Sequence, residues 1–120
     1  MLAVPVGPPF AARCRVDRTT LGTLRVFAQA TSAYWVSDRR ARDFALMVEE
    51  AAKRAIEDRS GTCIVLVREF SGWLAGEIVA DPESSGKLIE DERPTEPSAR
   101  GEGLHISSGP VGTVVWLSLV

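Results

Sequence analysis

Histidine occurs once in this chain, cysteine twice, tyrosine once and methionine twice. Two thiols and one imidazole do not supply the four ligands of a structural zinc site. The cysteines, Cys14 and Cys63, both fall in strand-like runs and read as two buried thiols in a reducing compartment, the cytoplasm, not as a disulfide framework. No apolar run approaches the ~20 residues of a membrane span. The opening stretch, MLAVPVGPPF, lacks a basic leader and holds three prolines, so it reads as a disordered tail over residues 1–10 and not as a secretory signal. A formal net charge of −2 gives no reason to expect a nucleic-acid or membrane surface. No internal repeat is visible.

What the chain does have is apolar content, 45% over 120 residues, enough for one domain with its own core. Residues 11–120 are expected to form it. The longest regular pattern is Asp43 to Asp58, DFALMVEEAAKRAIED. Phe44, Met47, Val48, Ala51, Ala55 and Ile56 recur at three- and four-residue steps, the signature of an amphipathic helix. Ser37 or Asp38 can cap it, and Gly61 can end it in a left-handed conformation. Glu50, Arg54 and Asp58 stand four apart on another face, and Glu49, Lys53 and Glu57 make a second ladder. Such ladders are either solvated ion pairs or part of a site.

An earlier helix is predicted from the spacing of Leu21, Leu24, Phe27, Thr31 and Tyr34 or Trp35, capped by Thr19 or Thr20. Arg25 lies off its apolar stripe. A short edge strand, Arg13 to Val16, precedes it. Thr62 to Val67, TCIVLV, reads as a strand buried on both faces. A tight turn, Glu69–Phe70–Ser71–Gly72, and the run Trp73 to Ala80 make a hairpin with it. From Asp81 the composition becomes polar and rich in Pro, Gly, Ser and acid, which predicts a flexible, lid-like loop over about 82–102. Leu104 to Ser107 is expected to form one helical turn, and Thr113 to Val120 a closing strand. Strands and helices segregate, which predicts an α+β two-layer sandwich with helices on one face of a mixed, mostly antiparallel sheet.

Four fragments in this order resemble a known family. Glu50-Ala-Ala-Lys-Arg54-Ala55-Ile-Glu-Asp58 is similar to the Glu-x-x-x-Asn-Ala-x-x-His helix motif of the GHKL (Bergerat-fold) ATPases. Asp81-Pro82-Glu83 stands where that family has Asp-x-Gly, Gly101-Glu102-Gly103-Leu104 where it has Gly-Arg-Gly-Leu, and Gly112-Thr113 where it has Gly-Thr. From about Val16 to Val120 the chain resembles the small bacterial anti-sigma factors with serine-kinase activity, the RsbW type.

That resemblance implies Glu50 as the general-base position, Asp81, Gly101, Gly103 and Thr113 as nucleotide positions, and Arg25 as a partner-binding residue. It also implies a sigma factor and a STAS-domain anti-anti-sigma factor as partners, and a homodimer through the first strand and helix when free. The departures fall on the chemistry. Arg54 replaces the metal-binding Asn and is a permanent cation with no acceptor atom. Glu83 brings a side chain to the base-binding turn, and Glu102 opposes a triphosphate. The expectation is a regulator that needs no cofactor and binds without kinase activity. The alternative is an active serine kinase that takes ATP and Mg²⁺ in an atypical site, with Arg54 contacting phosphate. Arg25 reads equally as an ordinary exposed arginine.

Overall fold

The computed structural model describes residues 11–58, 61–70, 72–80, 103–108 and 112–119. The expected tail over 1–10, the lid over 82–102, and the positions Asp81, Gly101 and Glu102 lie outside these residues.

The first strand, β1 (Ala11–Asp17), leads into a single 3-10 turn, Arg18–Thr20. Asp17 caps that turn: its carboxylate accepts from the Thr19 hydroxyl at 2.6 Å and from the Thr19 and Thr20 amides at 2.8 and 3.2 Å. Thr20 answers by accepting the Asp17 amide at 2.9 Å, which closes a capping box. The Thr19 hydroxyl, then its amide, hold the Asp17 carboxyl below the usual carboxylate range, because each bond favours the charged form. The threonines expected to cap the helix therefore donate to an aspartate one turn earlier.

Helix α1 (Leu21–Ser32) follows, then α2 (Asp38–Asp58), which starts where the Ser37 hydroxyl accepts the Arg40 amide at 3.4 Å. Phe44, Val48, Ala51 and Ile56 are buried as the spacing predicted, together with Ala41, Ala45 and Ala52. Gly61, at φ 87°, turns the chain into β2 (Thr62–Phe70), and Gly72, at φ 94°, turns β2 into β3 (Trp73–Ala80). Cys63 to Val67 are buried without exception, as expected of a strand covered on both faces. β4 (Leu104–Ser108) and β5 (Gly112–Ser118) complete a five-stranded sheet in the order β1-β2-β3-β5-β4.

Two expectations are corrected. Every pairing among the described strands is antiparallel, so the sheet is not mixed. The reason is in the first connection: two helices, one running back and one forth, separate β1 from β2, so β2 must run against β1. Leu104 to Ser107 is strand and not a helical turn. One isolated turn does not repay its nucleation cost, whereas pairing His105 with Trp116 and Ser107 with Val114 bonds the backbone to an existing ladder.

Both helices pack on one face of the sheet. Val16, Cys63, Val65, Val67, Leu74, Ile78, Val115 and Leu117 meet Leu24, Ala28, Phe44, Val48, Ala52 and Ile56 in one core. Gly76 in β3 lets α2 approach: a Cβ there would stand 2.9 Å from Val48 Cγ2 and 3.2 Å from Phe44 Cζ. The opposite face carries a second buried cluster of Trp73, Ala75, Val114 and Trp116, with Trp73 edge-on to Trp116. Arg68 and Glu77, diagonal neighbours on β2 and β3, join there in a two-bond ion pair at 2.6 and 2.7 Å. The architecture is thus α+β: a five-stranded antiparallel sheet with two helices against it.

Candidate functional site

α2 lies along β5. Near its start Arg40 donates to the Ser118 carbonyl, and Val48 stands over Gly76, the partner of Val115. Glu50 and Arg54 lie in the second half of this helix, and both are exposed. No ion pair joins them among the described residues, and the side chain of Asp58 lies outside those residues. Glu50 and Arg54 thus behave as residues of a solvated helix face.

Gly103 and Thr113 are the other two described positions suggested by the resemblance. The Gly103 carbonyl accepts the Ser118 amide at 3.1 Å, so it sits beside the end of β5. Thr113 is near the start of β5, paired with Ile78 on one side and Ser108 on the other. Five residues of strand separate the two levels, roughly 17 Å. Gly103 has φ 138°, a conformation that suits glycine.

The cysteines are both free thiols. They lie on neighbouring strands, Cys14 opposite Val65 and Cys63 opposite Val16. Burial, and then the neighbouring Cys14, push the Cys63 thiol up to about 11, and burial raises Cys14 as well. Neither is a ready thiolate nucleophile.

The surface with the least ordinary chemistry is the outer side of α1. From Thr19 to Val36 the only charged residue is Arg25. Leu24, Ala28, Thr31 and Ser32 face the core, yet the opposite side holds no charge and, beside Thr23 and Gln29, is apolar. Val26 is 67% exposed and Tyr34 72% exposed, with Ala30 and Ala33 exposed between them. An open groove of about 430 Å³ runs along Phe27, Ala30, Thr31, Ala33 and Tyr34. Arg25 flanks this stripe, half exposed, with its Nε 3.9 Å from Glu49 on α2. At that distance in solvent the contact is loose and leaves the guanidinium available to a partner's carboxylate.

Reading the sequence for periodicity assigned Tyr34 or Trp35 to the buried side and overlooked this stripe. The structure half-buries Trp35 and exposes Tyr34. The signal that reveals the stripe is the near absence of charge through a helix that should have a wet face. The Arg68–Glu77 pair was also missed; charges inside two otherwise apolar strands mark it.

Among the described residues no helix is long and apolar enough to cross a membrane. Comparison with known proteins adds no relative: no protein-family model, no curated protein and no solved structure matches the chain.

Proposed function

We propose that this protein is a binding regulator of the anti-sigma class, which sequesters an alternative sigma factor in the cytoplasm by protein–protein contact. The observation that carries this reading is the uncharged outer face of α1, with its groove and the single cation Arg25 at its margin. Exposed apolar surface flanked by one arginine is the composition of a contact centre, where aromatic side chains and Arg dominate binding energy. A sigma-factor segment with an apolar side chain for the groove and a carboxylate for Arg25 is the partner this surface suits. Release is by a STAS-domain antagonist competing for the same face, without phosphorylation.

The reading assigns no role to ATP. Arg54 offers no metal-binding atom, and Glu50 stands exposed one turn before it on a solvated helix face. Gly103 and Thr113 lie at opposite ends of β5.

The test measures binding of the purified chain to the purified sigma factors of its own host. Val26→Asp, Tyr34→Asp and Arg25→Ala should each weaken the complex by at least about 10- to 30-fold, the range of a hot-spot residue. Leu46→Asp, at an exposed apolar position on α2, should leave it unchanged. Equal binding by all four variants, or no sigma factor bound, sinks the proposal. In parallel, millimolar Mg-ATP should leave Tm where it is, since any ligand of the folded state raises it by mass action. A clear rise moves the assignment to a serine kinase.

A further inference from the structure

The sheet has two outer edges among the described strands, β1 and β4, and they differ in chemistry. β1, AARCRVD, carries Arg13, Arg15 and Asp17. Charges on an edge strand are one of the devices that keep it from pairing with another chain. Antiparallel pairing of two copies about the middle of β1, Cys14, sets Arg13 opposite the copy's Arg15 twice over. β4, LHISS, has no Lys, Arg, Asp, Glu or Pro, and its register with β5 is unbroken by a bulge. Ile106 at its centre is 56% exposed.

The backbone of β4 alternates in a determinable way. The Ser118 amide donates to the Gly103 carbonyl, so the pair 103 and 118 is hydrogen-bonded. In an antiparallel ladder bonded and non-bonded pairs alternate. His105 and Ser107 therefore turn their N–H and C=O groups toward β5. Leu104, Ile106 and Ser108 turn theirs to the outer edge, where no described strand lies.

We propose that this edge is a self-association surface: two copies of the chain pair β4 against β4, antiparallel, about a two-fold axis at Ile106. In that register Ile106 lies opposite Ile106 of the second copy, and Leu104 lies opposite its Ser108. These are the residues whose polar groups point outward, so three donors and three acceptors on each copy meet their complements. Ile106 shares its sheet face with Leu104, and the two isoleucines become a cross-strand pair at the bonded-pair separation of about 5.5 Å. His105 comes opposite Ser107, and no like charges meet. Of the registers that the parity of the outward groups allows, this one pairs all three outward residues of β4 and sets the exposed isoleucines opposite each other. The contact is isologous and closed, so it stops at a dimer and joins two five-stranded sheets into one. It is a small interface, so the dimer is weak. It replaces the first strand as the expected dimer contact, leaves α1 free, and does not depend on what α1 binds.

Sedimentation of the full chain up to about 1 mM, with amide hydrogen exchange, tests it. The wild type should pass from monomer to dimer with rising concentration, and protection should rise at the Ile106 amide but not along β1. Ile106→Lys sets two cations face to face and should abolish the dimer. Ile106→Pro removes only an outward N–H, which an edge strand tolerates, and should also give a monomer. Thermal melts of both variants, matching the wild type measured as a monomer, show that the fold is kept. A wild type that stays monomeric throughout overturns the proposal. So does a dimer that survives both substitutions, or one that is lost instead on Val26→Asp.

Discussion

Gly112→Ala should be among the most damaging single-methyl changes in this chain, costing about 3 kcal/mol of stability and lowering Tm by roughly 10 °C. A Cβ at this position would stand 2.0 Å from the Ile78 carbonyl oxygen, and 3.1 and 3.2 Å from the Ile78 carbonyl carbon and Val79 Cα. All three are backbone atoms of β3, so no side chain can swing away. β5 would have to part from β3 where the two strands begin to pair, at Gly112 and Val79. Gly22→Ala is the matching control. Nothing stands within 4 Å of a Cβ there, and the change lies in the exposed first turn of α1, where alanine is the better helix former by up to about 1 kcal/mol. Urea denaturation of the two variants should move their midpoints in opposite directions. Equal stability of Gly112→Ala and wild type would mean that β5 can shift at its start and that the close approach is not needed.

Glu77→Ala should cost about 3 kcal/mol, the lower end for breaking a buried ion pair. The Glu77 carboxylate is 3% exposed and takes both hydrogen bonds from the Arg68 guanidinium, itself 11% exposed. Removing the acid strips a largely buried cation of two short charge-assisted bonds. The lower end applies because Arg68 makes further contacts. The pair itself need not stabilise the fold relative to apolar residues of similar volume, since desolvating two charges offsets much of their attraction. Arg68→Met with Glu77→Leu should therefore recover most of the loss, and a double-mutant cycle on denaturation free energies reads out the coupling. If Glu77→Ala alone is neutral, the guanidinium has found water or another partner, and this side of the sheet is wetter than its packing around Trp116 indicates.

The candidate interface was only half legible beforehand. Leu21, Leu24 and Phe27 announced a helix because apolar residues at helical spacing need one buried face. The same pattern does not say that a helix will leave Val26, Ala30 and Tyr34 uncovered on its other side. Arg25 could be named from a family resemblance, but its companions could not, because they share no motif; they share only an address on the finished surface. Glu50 and Arg54 illustrate the converse. Four-residue spacing places them on one face of α2, yet whether that face is wet or enclosed depends on what packs over it.

By itself the sequence determined the local elements. It specified a helix over Asp43–Asp58 with a cap at Ser37 or Asp38 and a stop at Gly61, the buried run Cys63 to Val67, the hairpin through Gly72, and the segregation of helices from strands that makes the fold α+β. Periodicity, caps and turn residues act within a few positions of themselves, so they can be read in order along the chain. Only the tertiary structure decided the strand order, the all-antiparallel pairing, the conversion of Leu104–Ser108 into an edge strand, the Arg68–Glu77 pair and the bare outer face of α1. Each of these rests on which residues distant in sequence come to cover one another, and burial is settled by the neighbours a side chain acquires and not by the residues that flank it.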